Sequence, residues 1–218
     1  MSFDALMNPI TGEYGVMRQR PGPGDGLMVA DLYARPNAAV VGEHIHPRMT
    51  ESFTVVRGRL GLRIDGREDE AAPGTRVSVP PGTAHDWWNT GHDTAWVIVE
   101  VDPGAGFEAM IRNLYCLAAD GRTDSKGRPS LLQASLMAKE FDEVIRFTKP
   151  PRAVQQILFS VLAPIARRRG LRGSYPEYLT RVTAVLEEIE ALPPEIAALL
   201  PASVPRGTGG VPQGASGA

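Results

Sequence analysis

Cysteine is almost absent from this chain. A single residue, Cys116, in 218 excludes an intramolecular disulfide framework and fits a reducing, cytoplasmic compartment. With no histidine near it in sequence, Cys116 reads as a small core hydrophobe in a helix. An excess of one charge is missing too. The net charge of −2 provides no basic field for nucleic acid or for a membrane surface. Long apolar runs are also missing. The longest uncharged stretch, Ala153 to Ala166, falls short of the roughly 18 residues that mark a membrane span. No basic segment followed by an apolar core opens the sequence, so no secretory signal is expected. What remains is an ordinary globular balance, 43% hydrophobic and 22% charged, on a chain long enough for one good domain and an appendage.

Histidine is scarce as well, but it is concentrated. Three of the four histidines lie between His44 and Asn89. His44 and His46 are two apart, which on an extended strand puts both on one face, about 7 Å apart along the chain. Pro47 marks a break, and Glu51 adds a carboxylate from the next segment. His85 comes from a later strand, after a Pro80-Pro81-Gly82 turn. Three imidazoles and a carboxylate make a mixed nitrogen and oxygen donor set. It suits Fe(II), Mn(II), Ni(II), Cu(II) or Zn(II), and suits calcium or magnesium poorly.

The neighbouring pattern is a run of short strands. Leu27 to Ala34, Ala38 to His46, Glu51 to Arg57, Leu60 to Asp65, Arg67 to Ala72, Thr75 to Val79, the His85 segment and Ala95 to Val101 are separated by turn residues such as Asp65-Gly66 and Pro73-Gly74. Such spacing signals an antiparallel barrel or sandwich. Glu51–Arg57 and Leu60–Asp65 read as a hairpin across Gly58. Tyr14 to Arg20 reads as a short edge strand. If Glu51 and His85 face inward, alternation turns Phe53, Val55, Trp87 and Asn89 inward as well, and Trp88 outward. On the last strand Val97 and Val99 are the expected inward pair. Phe53, Val55, Trp87 and Val99 would then line a pocket for an apolar or aromatic small molecule. Asn89 is expected to fix a turn, and His92 to be exposed.

In full, the segment resembles the two motifs of the cupin superfamily. His-x-His, four residues, Glu, six residues, Gly is met by His44, His46, Glu51 and Gly58. Gly, five residues, Pro-x-Gly, two residues, His, three residues, Asn is met by Gly74, Pro80, Gly82, His85 and Asn89. One position departs: the family's glycine six residues before the first histidine is Ala38 here. The resemblance covers about residues 25–104 and implies a mainly β fold, a double-stranded β-helix (jelly-roll) barrel. It also implies one divalent metal ion inside, held by His44, His46, Glu51 and His85, with Fe(II) favoured, and a homodimer.

Composition changes after Pro103-Gly104. Helices are expected over Phe107–Ala118, Ser130–Phe147, Ala153–Arg169 (kinked or interrupted at Pro164) and Tyr175–Leu192, with a short turn from Pro194 to Leu200. The chain thus divides into an N-terminal arm (1–24), the barrel (25–104), an α-helical extension (105–202) and a Gly/Pro/Ser/Ala-rich tail (203–218) expected to lack order. The apolar faces of the helices must be buried, either capping the barrel mouth, on its back, or in a dimer contact.

Four protein ligands on a six-coordinate ion leave two positions free. Three functions follow. One is a metal-dependent oxygenase on a small organic, aromatic or polyketide-like substrate. Another is an isomerase, lyase or cyclase using the metal as a Lewis acid. A third is a non-enzymatic binding or sensing module. Glu51 is a candidate base as well as a ligand, and Tyr33 a further candidate base.

Overall fold

The computed structural model describes residues 2–22, 25–40 and 42–212. In chain order the elements are β1 (Phe3–Met7), β2 (Tyr14–Gln19), β3 (Met28–Ala34), β4 (His44–Ile45), β5 (Thr50–Arg57), β6 (Leu60–Ile64), β7 (Arg67–Ala71), β8 (Arg76–Val79), β9 (His85–Asn89) and β10 (Ala95–Asp102). After these come α1 (Ala105–Ala119), α2 (Leu131–Glu140), β11 (Arg146–Phe147), α3 (Arg152–Arg168), α4 (Pro176–Leu179), β12 (Ala184–Leu186) and α5 (Pro194–Ala197).

The strands form two antiparallel sheets. The larger runs β12-β1-β2-β3-β10-β5-β8 and the smaller β11-β4-β9-β6-β7. Strands β3 to β10 divide evenly between them, which is the face-to-face arrangement of a jelly roll. Alternating side chains from both inner faces make the barrel core: Leu32, Phe53, Val55, Leu62, Trp87 and Val97 are among its buried members. Val97 and Val99 do face inward, with Val101 after them.

Several local expectations change. Glu51–Arg57 and Leu60–Asp65 are not a hairpin. Both sides of β5 are taken, by β10 and β8, so β6 crosses to the smaller sheet and pairs with β7 and β9. Gly58, at φ +82°, makes that crossing, and a Cβ there would sit 2.8 Å from the Ala95 Cα. Of the strand expected from Ala38 to His46, only His44–Ile45 and a bridge from Ala39 to Trp88 form among the described residues. The turn for which the motif carries glycine is made one residue earlier: Asn37 takes φ +64° and the Ala38 amide donates to the Arg35 carbonyl. Asparagine tolerates this conformation, so Ala38 is free to pack in the core.

Within residues 1–24, β2 is not an edge strand, because β1 pairs outside it and β12 outside β1. The helix expected over Tyr175–Leu192 is reduced to α4. Beyond it the chain extends along the open edge of β1, with the Thr183 amide on the Ala5 carbonyl at 2.7 Å. Pairing an exposed edge outweighs local helix preference here. The helix expected from Ser130 stops at Glu140 for the same reason: Arg146–Phe147 leave it to pair with β4. α3 runs through Pro164. On the outer face of the larger sheet a second core joins Val29, Trp96 and Ile98 to Ile189, Ile196 and Val204. That packing corrects the expected disorder from residue 203. Over residues 203–212 the chain is tied down by Leu192 N to Arg206 O (2.8 Å) and Gly209 N to Ile189 O (3.0 Å). Residues 213–218 lie outside the described ones.

Candidate metal centre

His44 and His85 lie directly opposite each other on β4 and β9. Pro47 ends the first segment, and the chain returns at β5 with Glu51. The two motifs are stitched by the Gly82 amide, which donates to the His46 carbonyl at 2.8 Å from a turn where Gly82 holds φ +79°. The three imidazoles therefore meet, with ring centroids 4.4 Å (His44–His85), 4.9 Å (His44–His46) and 5.2 Å (His46–His85) apart. One donor atom from each of His44, His46, Glu51 and His85 lies within 4.8 Å of all the others, and all four residues are buried.

The hydrogen bonds orient the rings. Nδ1 of His44 faces the Gly42 carbonyl (3.0 Å), that of His46 the Val144 carbonyl (2.6 Å) and that of His85 the Thr83 carbonyl (3.0 Å). A carbonyl can only accept, so each Nδ1 carries the proton and each neutral ring turns an Nε2 lone pair to the centre. Glu51 Oε2 lies 2.9 Å from His85 Nε2 and 3.2 Å from His46 Nε2. Lone pairs of three nitrogens and a carboxylate cannot face one another without a proton or a cation between them. The residues fit a metal ion.

Electrostatics agree. Burial, reinforced by His46 and His85, pushes the His44 imidazole down to a pKa of about 3, so it stays neutral and able to ligate. Burial alone would raise the Glu51 carboxyl, but hydrogen bonds from His46 and His85 hold it below the usual carboxylate range. Burial disfavours the charged His85 ring, yet its contacts to Glu51 leave its pKa raised.

The cluster sits at the wall of a cavity of about 670 Å³, which His44 and Glu51 face directly. Of the expected pocket residues, Phe53, Trp87 and Val99 line it. Val55 is fully buried in the barrel core and does not. Tyr33 is not near the cluster: it lies on the other face of the larger sheet, stacked on Trp96, its hydroxyl donating to Glu190 Oε2. Asn89 fixes a turn, its side-chain nitrogen donating to the Ala34 and Asp93 carbonyls. Trp88 turns away from the interior, beneath Arg63 at 5.5 Å, and His92 is exposed.

The helical half supplies what sequence reasoning missed. The Val144 carbonyl that holds His46 follows α2. Phe107 at the start of α1 packs on the His46 ring at 5.6 Å, and Phe147 of β11 on His44 at 6.3 Å. Met110, Met137 and Phe159, from α1, α2 and α3, complete the cavity wall. The helices cap the barrel mouth. No sequence motif marks these contacts; the one signal was that the helices' apolar faces needed cover.

A β-barrel with an interior three-histidine, one-carboxylate cluster is the arrangement of a metal-binding cupin. Residues 33–108 match the family model described as Cupin domain, so this part of the chain carries a cupin domain. It is 32% identical over 90 residues to quercetin 2,3-dioxygenase of Bacillus subtilis (strain 168), a match covering 41% of this chain and 26% of that one. The chain thus spans about a quarter of that relative. Among solved structures it is similar to KdgF from Halomonas sp. (19% identity, TM-score 0.40, 45% of this chain and 84% of that one). It is also similar to the nucleoside dehydratase Pac13 (15%, TM-score 0.38, 46% and 77%). Among the described residues no helix is long and apolar enough to cross a membrane.

Proposed function

We propose that this protein is a metal-dependent oxygenase acting on a small organic substrate, aromatic or polyketide-like, held in the capped cavity beside His44, His46, Glu51 and His85. The observation that carries the reading is the junction of a complete, pre-oriented donor set with a large cavity whose walls are mostly apolar. Similarity to a dioxygenase over part of the chain supports the oxidative side. A divalent transition metal, Fe(II) in the first instance, would supply Lewis acidity and the redox capacity that dioxygen chemistry requires.

The chain's own residues set the rest. Their Nδ1 hydrogen bonds hold the three imidazoles in one tautomer, so the site is organised before substrate arrives. Phe53, Trp87 and Val99 bind an apolar ring by contact and exclude water. Glu51 is the one carboxylate of the cluster and it faces the cavity. It accepts the proton of an acidic enol or phenol of the substrate at a carboxylate oxygen, acting as base as well as ligand. The helical cap keeps bulk water from the reacting groups. Homodimerisation and a cytoplasmic location stand beside this reading as proposals, the former tested by sedimentation velocity.

The test is oxygen uptake by the Fe(II)-loaded protein across a panel of flavonols, catechols and 1,3-diketones, with Glu51→Gln in parallel. Substrate-dependent uptake that falls at least a hundredfold in the variant supports the reading. Product formed equally well without oxygen contradicts it.

A further inference from the structure

The cavity carries several polar side chains on its wall besides the metal cluster, and among them is a buried carboxyl–phenol pair. Glu13, Tyr115, Asn8 and Thr11 line its wall, and they come from the β1–β2 turn and from α1, segments outside both cupin motifs. Glu13 is 7% exposed and Tyr115 6%. The Tyr115 hydroxyl donates to Glu13 Oε2 at 2.8 Å. Among the described residues the Tyr115 hydroxyl is the one group within full hydrogen-bond geometry of the Glu13 carboxyl, and the Thr11 hydroxyl is buried close beside it, near enough to favour its charged form.

A carboxylate buried to this degree is costly unless something satisfies it. Burial raises the Glu13 pKa, against the bond from Tyr115 and the nearby Thr11. The fold nonetheless fixes it firmly. The Asn8 amide donates to the Glu13 carbonyl and the Gly12 amide to the Asn8 carbonyl, each at 2.9 Å. Asn8 Oδ1 accepts from the amides of Ile10 and Thr11. Gly12 sits at φ +74°, where a side chain would be strained. A rigid turn presenting an acceptor into an apolar cavity is how a protein reads one donor on a ligand.

We infer that Glu13 and Tyr115 form a specificity subsite that holds a hydroxyl group of the substrate at a part of the cavity wall distinct from the metal cluster. Glu13 Oε1 accepts the ligand's hydroxyl proton while Tyr115 keeps the carboxyl oriented. A hydroxyl fits better than an ammonium, whose desolvation in such a cavity costs far more. The inference rests on the reading that this cavity is where substrate binds, but it requires no turnover and no particular metal. The substrate class narrows accordingly to apolar molecules with a hydroxyl besides the group that faces the metal.

The test is equilibrium binding of 2-naphthol and 2-methoxynaphthalene to the purified full-length chain, followed by calorimetry. Naphthol should bind at least about tenfold tighter, the worth of one hydrogen bond to a buried carboxylate. The preference should persist in His46→Ala, which separates it from coordination of a naphtholate to metal. It should vanish in Glu13→Leu/Tyr115→Phe, a swap that replaces both partners by apolar groups and leaves 2-methoxynaphthalene binding unchanged. Tyr115→Phe alone, which leaves the acceptor in place, should retain it. Equal binding of the two probes to the wild-type protein would overturn the proposal, whether or not the double variant folds. So would a preference lost in His46→Ala. Failure of the oxygenase reading would instead appear as absent oxygen uptake with this preference intact.

Discussion

His46→Ala removes one ligand and one structural bond together, and the two consequences separate cleanly. The ring is buried and its Nδ1 meets the Val144 carbonyl at 2.6 Å. Truncation leaves a small cavity and an orphaned carbonyl, worth about 2–4 kcal/mol together. A domain of this size has about 5–15 kcal/mol to lose, so the barrel stays folded. The metal effect is larger in relative terms. A ligand at a hundred times its dissociation constant stabilises the native state by about 2.7 kcal/mol, and each kcal/mol moves the midpoint of a domain this long by about 2–4 °C. Wild-type protein titrated with Zn(II) to that level should melt about 5–10 °C higher than metal-free protein. His46→Ala should melt lower than wild type to begin with and show almost no shift at the same metal concentration. Differential scanning calorimetry with and without metal, paired with elemental analysis, reads both. A full-sized shift and near-stoichiometric metal in the variant would refute the ligand assignment.

Other outcomes follow from the same structure. In metal-free protein the His44 pKa is pushed from 6.5 to about 3. Between those values the unfolded chain binds a proton that the native chain does not, so this residue's share of stability is intact above pH 6.5 and is lost as pH falls toward 3. Denaturant melts of wild type and His44→Gln across that window should converge as pH drops; parallel curves would contradict the shift. Gly58→Ala forces a side chain into φ +82° and within 2.8 Å of the Ala95 backbone, and should cost about 3 kcal/mol by urea melt. Asp31→Ala strips the carboxylate from fully buried Arg18, which it meets at 2.8 Å. The Arg18 bonds to the Pro205 and Glu190 carbonyls remain, so a loss of about 3 kcal/mol is expected, read by calorimetry.

The barrel and its four-residue cluster were legible because they depend on residues close in sequence and on strict alternation. Strand geometry put only His44 and His46 on one face; the full set of His44, His46, Glu51 and His85 came from the resemblance to the two cupin motifs. Phe53, Trp87 and Val99 followed from the same alternation, which misplaced only Val55, on the right face of β5 but not on the cavity wall. The two expected helices that end early share one cause. Residues 146–147 and 184–186 have helical patterns locally but pair with the exposed edges of β4 and β1, partners far away in sequence. Tyr33 pointed to the wrong side of the sheet because nothing in the sequence shows that a second core covers that face. The Val144 carbonyl and the Glu13–Tyr115 pair were invisible for a related reason: each joins segments about a hundred residues apart, and neither belongs to a motif.

The most direct measurement of the central claim is oxygen consumption by protein loaded anaerobically with one equivalent of Fe(II), over the flavonol, catechol and 1,3-diketone panel. The account predicts uptake that depends on both substrate and iron, stoichiometric with product, and abolished in His46→Ala. Equal product yield under anaerobic conditions with Zn(II) or Mn(II), and no oxygen consumed with Fe(II), would contradict it.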